Sequence, residues 1–324
     1  VEASMRPERA DAAADALRDL LPGLGHLVHM PSHIDVRRGR WREAIVANTK
    51  AIEADRRYRE QAPRQGFYRL YMNHNHHMLG YAAMMIGRSA QATAIMDEMV
   101  AGIPADWSTE FSQVADGFMA MPLEVRMRFG KWEEILAAPE LPDRFPLARA
   151  LRRYARGVAY AATGRPAEAR AERKAFADAR AALPAEAAFG NNASSDLLDV
   201  AAALLEGEIL YFEGKVAEGI AALNEAVKHE DRLRYDEPPD WILPVRHALG
   251  AALLQAGRHK DAEAVYREDL KRLPANGWSL FGLARSLRMQ DRNEEAARVE
   301  AEFEKAWAGA DTPLKSSCFC QPGV

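Results

Sequence analysis

Eight times along the chain a basic residue follows Gly or Asp, or in one case Met, with helix-forming sequence on both sides. The pairs are Met5-Arg6, Gly39-Arg40, Gly87-Arg88, Gly130-Lys131, Gly164-Arg165, Gly214-Lys215, Gly257-Arg258 and Asp291-Arg292. Their separations are 34, 48, 43, 34, 50, 43 and 34 residues. A recurring period of this size marks a repeat architecture, in which each unit buries its apolar face only against its neighbours. The flanks hold the same register. Five residues after each marker stands Ala10, Ala44, Ala92, Ile135, Ala169, Gly219, Ala262 or Ala296. Seventeen residues after it, Pro22, Pro104 and Pro274 close three of the units by withholding a backbone N–H. Seven residues before it lies Ser32, Gly80, Gly157, Gly207, Gly250 or Ala284, each small enough to let two helices approach closely. The marker thus predicts the turn between helix A and helix B of a hairpin.

This pattern resembles the tetratricopeptide repeat (TPR) over nearly the whole chain. Leu249-Gly250 followed by Ala262, Tyr266 and Pro274 is the fullest copy, and Leu79-Gly80 with Tyr81, Ala92 and Pro104 is close to it. The resemblance implies an all-α, right-handed α-solenoid of about seven to eight TPR-like helical hairpins over residues 1–311. Residues 312–324 then form a C-terminal tail carrying Cys-x-Cys. The chain is also similar to a bacterial subgroup of such proteins through a His-Met-Pro-Ser-His segment (29–33), a His-Asn-x-His segment (74–77) and the run 276–283. That second likeness carries no established activity with it. Extra length falls at 55–68, 103–113 and 184–196, and the last of these reads as an exposed loop rich in Gly, Asn and Ser.

Charge removes one class of partner. With 43 basic and 47 acidic residues and a net charge of −4, the chain lacks the concentrated basic surface that binding to nucleic acid needs. No run reaches the ~18 to 20 apolar residues that span a bilayer, so no membrane role is expected. Two cysteines in so long a chain make no disulfide framework, and the default setting is a reducing, cytoplasmic one. Because the chain begins at Val1 within helix-forming sequence, its native start, with any targeting signal, is expected further upstream.

In the repeat resemblance, positions 2, 5, 9 and 12 of each helix A line a concave groove that holds ligands. Six of the nine histidines fall in two windows, His26/His29/His33 and His74/His76/His77. His29 and His33 take positions 5 and 9 of one helix A; His74 and His77 take positions 2 and 5 of the next. His247 takes position 5 of a later one. Imidazole is the commonest metal ligand. One pair spaced i, i+4 and a second spaced i, i+3 on the neighbouring helix can converge on one ion, for which zinc or copper suits. No carboxylate falls among them, since Asp35 occupies a buried position two residues from His33. Pro31 lies inside the helix, which must either start late, near Met30, or kink at the histidines.

Tyr154, Arg246 and Trp278 also fall on groove positions, and Trp241 follows a rigid Glu237-Pro-Pro-Asp entry to its helix. The tail's Cys318 and Cys320 suit Cu(I) or Zn²⁺, although a terminal segment equally reads as a loose tail with idle thiols. Two functions follow. In the first, a groove lined by His29, His33, His74, His77, Tyr154, Arg246, His247, Trp241 and Trp278 holds a peptide, a partner segment or a small ligand. In the second, the chain is a metal-binding protein or metalloenzyme with His29, His33, His74 and His77, together with Cys318 and Cys320, as ligands. No Ser-His-Asp order or phosphate loop points to other chemistry. A clamp for a peptide carboxylate is absent too, because histidines stand where it would need Lys, Arg and Asn.

Overall fold

A computed structural model describes residues 1–321; among these the chain is all-α apart from one very small β-hairpin. After a 3₁₀ turn at Pro7–Ala10, α1 (Asp11–Leu17) leads into seven successive helix pairs. The first has a broken helix A, α2 (Gly25–His29) and α3 (Pro31–Arg37), packed on α4 (Trp41–Gln61). The second joins α5 (Arg69–Met85) to α6 (Ser89–Ala101). A short α7 (Ala105–Glu110) precedes the third, α8 (Ser112–Arg128) with α9 (Trp132–Ala137). Next come α10 (Pro146–Ala162) with α11 (Pro166–Ala181), and α12 (Ser194–Phe212) with α13 (Val216–Glu230). The last two are α14 (Val245–Gln255) with α15 (His259–Arg272), and α16 (Gly277–Arg288) with α17 (Asn293–Trp307). Each pairs with the next through the stack.

The sequence marker has a conformational cause. At all seven complete hairpins its first residue has φ between 59° and 81°, from Asp291 to Gly214. A left-handed residue just past helix A ends it and satisfies its last carbonyls, which glycine does without the steric penalty of a Cβ. Six of the seven are glycine, and Asp291 is the exception. The small residue seven positions earlier is also explained: a Cβ on Gly250 would collide with the Tyr266 ring of the facing helix B. The eighth marker, Met5-Arg6, has no helix before it, so the complete hairpins number seven among the described residues.

The stack curves until its first two hairpins touch its last. Trp41 Nε1 donates to the Pro274 carbonyl at 2.9 Å, and Trp278 Nε1 to the Met84 carbonyl at 2.7 Å. Asp311 accepts the backbone N–H groups of Ser89 and Ala90 at 2.6 and 2.9 Å, capping α6 from the far end of the chain.

Beyond Asp311 the chain turns inward. Ser316, Ser317, Cys320 and Gln321 are buried. Arg128 donates to the Ser317 carbonyl at 2.6 Å, and Tyr266 Oη and Ser317 Oγ are hydrogen-bonded at 2.7 Å. The tail is therefore held by side chains of the inner helices.

The insertion at 184–196 departs from expectation. Residues 184–186 are exposed, but β1 (Ala188–Phe189) pairs antiparallel with β2 (Asn192–Ala193) and folds back onto the helices. Phe189 is buried against Gly117 and Phe118, and Asn192 donates to Asp240 at 2.7 Å. An aromatic residue in the loop gives it a core contact that turn composition alone does not disclose. Among the described residues no helix is long and apolar enough to cross a membrane.

Candidate metal centre

Pro31 occupies the first turn of α3, so the helix breaks at Met30, between the two histidines. One turn apart on either side of this break, His29 and His33 bring their Nε2 atoms to 2.7 Å. His74, reaching in from α5, places its Nε2 3.5 Å from that of His33. One ring nitrogen from each of the three lies within 4.8 Å of the others.

The outer ring nitrogens decide which tautomers are present. Asn48 on α4 donates its Nδ2 to the Ala44 carbonyl at 2.8 Å, which turns its Oδ1 toward His29. That oxygen lies 2.7 Å from His29 Nδ1, so Nδ1 carries the proton. His33 Nδ1 faces Glu2 Oε1 at 2.9 Å and Glu237 Oε2 at 3.4 Å, and is protonated for the same reason. Neutral rings would then turn two lone pairs on each other across 2.7 Å. Such an arrangement is stable only with a proton or a metal cation between them. Outer hydrogen bonds of this kind also orient the ligands of metal-binding histidines.

Electrostatics separate the three rings. Burial and the neighbouring histidines hold His29 and His74 well below the usual imidazole range. Burial also pulls on His33, but hydrogen bonds and charge from Glu2 and Glu237 outweigh it and hold His33 at about 9. Of the two carboxyls, Glu2 carries the charge: burial raises it, yet His33 and Tyr235 outweigh that and hold it at about 2. The more deeply buried Glu237 is pushed up to about 7 despite the same imidazole.

Beside the triad lies a cavity of about 580 Å³, lined by His26, His33, His74 and His77, with Tyr71, Phe118 and Phe189 as aromatic walls. Asp236, Glu237 and Asp240 close one side, and no Lys or Arg lines it. His77, expected as a fourth ligand, reaches the cavity but lies outside the converging group. Three residues beyond His74 the helix has turned by about 300° and risen about 4.5 Å. His77 accordingly packs its ring on Phe118 and Phe189, and burial pushes it down to about 3.

The remaining expected residues are dispersed. Arg246 and Trp241 line a second cavity of about 210 Å³, where Arg246 pairs with Asp231 at 2.7 Å. Tyr154 is fully buried against Trp241. His247 is locked in a buried chain, accepting from Arg128 at 2.8 Å on Nδ1 and donating to Asp269 at 3.0 Å from Nε2. Trp278 is no groove residue, because ring closure buries it completely, with the Arg128 guanidinium 3.7 Å above its ring. Cys318 and Cys320 do not join the histidines. Their Cα atoms are 5.2 Å apart, within disulfide range, and the sulfurs are bonded to each other beside Glu208. Asp35 is also outside the site, clamped by Arg18 at 2.7 Å and Arg40 at 2.8 Å.

Reading the sequence missed Glu2 and Asn48 and gave Glu237 no part in the centre. Asn48 had a signal, since it interrupts the stripe Trp41, Ala44, Ile45, Ala51, Ile52 on the buried face of α4. A polar residue at a core position must have a partner. Glu2 had none, because only the tertiary fold carries it to His33.

No protein-family model and no curated protein matches the chain. Solved structures that resemble it include the Rap conjugation gene regulator of the plasmid pLS20 in complex with the Phr* peptide. That likeness has 17% identity and a TM-score of 0.41, covering 88% of this chain and 74% of that one. Another is Naa15/Naa10 bound to HypK-THB, with 17% identity and a TM-score of 0.31, covering 94% of this chain. The present chain spans 41% of that protein's length. These likenesses are loose, and the repeat fold rests on the seven helix pairs themselves.

Proposed function

We propose that this chain is a helical-repeat metal protein whose His29, His33 and His74 hold one divalent transition ion, zinc first. The observation that carries the reading is the convergence of three ring nitrogens while Asn48 and the two glutamates hold the outer nitrogens of His29 and His33. Zinc–nitrogen bonds of about 2.0–2.1 Å set tetrahedral nitrogens about 3.3 Å apart, so His29 and His33 need to part by only about 0.6 Å. Three protein ligands leave one position open, as catalytic rather than structural zinc sites do. The adjoining cavity gives that position a small-molecule binding space of ordinary size. The test is zinc titration of chelator-treated protein by calorimetry with the cysteines kept oxidised. One equivalent should bind, His29→Ala or His74→Ala should lower affinity at least 100-fold, and His77→Ala should leave it within about threefold. Equal uptake by His29→Ala would sink the reading.

A second reading, a repeat protein that holds an extended partner segment, is supported by the tail itself. Arg128, Tyr266 and His247 bind the backbone and hydroxyl of Ser317, a mode that an incoming peptide could use. Protein ending at Asp311 should then bind a synthetic 312–321 peptide in trans. Failure of the peptide to bind, with the helical content unchanged, would remove this reading.

A further inference from the structure

The tail cysteines lie against a residue that has no role in the histidine centre. Glu208, on α12, is fully buried. Gln321 donates to its Oε2 at 2.6 Å, while its Oε1 has no hydrogen-bond partner. One carboxylate oxygen and the sulfurs of Cys318 and Cys320 all lie within 4.8 Å of one another. Burial pushes the Glu208 carboxyl up to about 8, and a buried carboxyl oxygen without a partner is a costly arrangement that a water or an ion relieves. Next to the two sulfurs is a void of about 30 Å³, bounded otherwise by side chains such as Trp132, Tyr154 and Leu204. That is room for one water-sized species on the side of the sulfurs that Glu208 does not line. Arg128 also borders the void, with its Nη1 on His247 Nδ1 at 2.8 Å and its Nη2 on the Ser317 carbonyl at 2.6 Å.

We propose that Glu208, Cys318 and Cys320 form a second, redox-gated metal site that takes one soft or borderline cation of the zinc class. In the disulfide form the sulfurs are bonded to each other and are not ligands. A dithiol reductant delivers two electrons and two protons, giving two thiols and its own cyclic disulfide. On binding, the ion displaces the two thiol protons and the proton that burial keeps on Glu208 to solvent, and two thiolates and a carboxylate surround it. Thiolates select zinc-class and softer cations over magnesium or calcium. Metal loading then ties residues 318–320 to α12, and a disulfide oxidant, which takes two electrons from the thiolates and is itself reduced to two thiols, restores the Cys318–Cys320 bond and releases the ion.

Cobalt(II) is the probe, because thiolate ligation gives an intense near-ultraviolet charge-transfer band that histidine or carboxylate ligation does not. Full-length protein is reduced with a dithiol, freed of it without oxygen, and shown by thiol titration to carry two thiols. Cobalt should then raise the band to saturation by two equivalents, since the histidine centre takes the other ion, and at one equivalent in the His29→Ala/His74→Ala variant; the oxidised protein should show none. Cys318→Ser or Cys320→Ser should abolish or at least halve the band, and Glu208→Gln should weaken cobalt binding at least tenfold. The His29→Ala/His74→Ala variant should retain the band in full, which separates this site from the histidine centre. Two titratable thiols with no band would overturn the proposal, and an unchanged affinity in Glu208→Gln would remove Glu208 from it.

Discussion

The indole nitrogen of Trp278, in the seventh hairpin, donates to the carbonyl of Met84, in the second, across 194 residues of chain at 2.7 Å. Trp307 stacks edge-on against the same indole and also covers Gly87. This contact turns a stack of hairpins, each touching its neighbours, into a ring whose ends hold each other. The ends of a repeat array ordinarily fray first, because a terminal unit has one neighbour instead of two.

Closure makes Trp278 a stability residue. Trp278→Ala removes a fully buried aromatic side chain and should cost about 3–5 kcal/mol. Trp278→Phe keeps most of the packing and leaves the Met84 carbonyl with the 3.2 Å bond from the Gly87 N–H, a loss of about 0.5–1.5 kcal/mol. Urea denaturation followed by circular dichroism measures both; a cost below 1 kcal/mol for the alanine variant contradicts the closed architecture.

Support of the histidine centre from outside is testable at Asn48. Asn48→Leu removes the acceptor that holds the His29 proton on Nδ1, and should lower zinc affinity about 10- to 100-fold. Asp35→Asn, a change nearer in sequence to His33 but outside the centre, should leave the affinity unaltered. Calorimetry on the two folded variants decides the point, and equal effects would mean general loosening of the first hairpin.

Metal-free and metal-loaded protein should respond to pH in opposite directions. Without metal, His33 is held at about 9, above its unfolded value of 6.5. Its stabilising charge is therefore fully present below about 6.5 and is lost as pH rises through 9. Imidazole resonances should show His33 titrating near 9, with His29 and His74 still neutral at pH 6. With zinc bound, stability should instead fall as pH drops, because protons compete for the ring nitrogens. A His33 resonance titrating near 6.5 in metal-free protein argues against the Glu2 and Glu237 contacts.

Asp291 is the one hairpin turn residue with positive φ that is not glycine. Asp291→Gly relieves the left-handed strain and should stabilise the protein, by about 0.5–1 kcal/mol after the added freedom of the unfolded chain is discounted. A thermal melt showing no gain would mean that the Asp291 side chain supplies a compensating contact.

What the sequence determined by itself is the local order: a run of about seven to eight helix pairs, the place of the turn in the seven that are complete, and the close approach at Gly250. Each follows from a requirement met within one hairpin, a left-handed residue ending helix A or a missing Cβ where Tyr266 crosses, so each leaves a mark at fixed spacing. The convergence of His29, His33 and His74 was legible for a related reason, since one turn of helix and one neighbouring helix suffice to bring them together. Only the tertiary structure decided the rest. The curvature of the stack is a sum of small rotations between hairpins, and no single residue announces where that sum returns the chain upon itself. That return buried Trp278, which groove numbering had placed on a binding surface. The final path of the chain likewise set Glu2 and Glu237 on His33, and carried Cys318 and Cys320 to Glu208 instead of to the histidines. Contacts between residues hundreds of positions apart leave no periodic trace, because their partners are selected by distance in space and not along the chain.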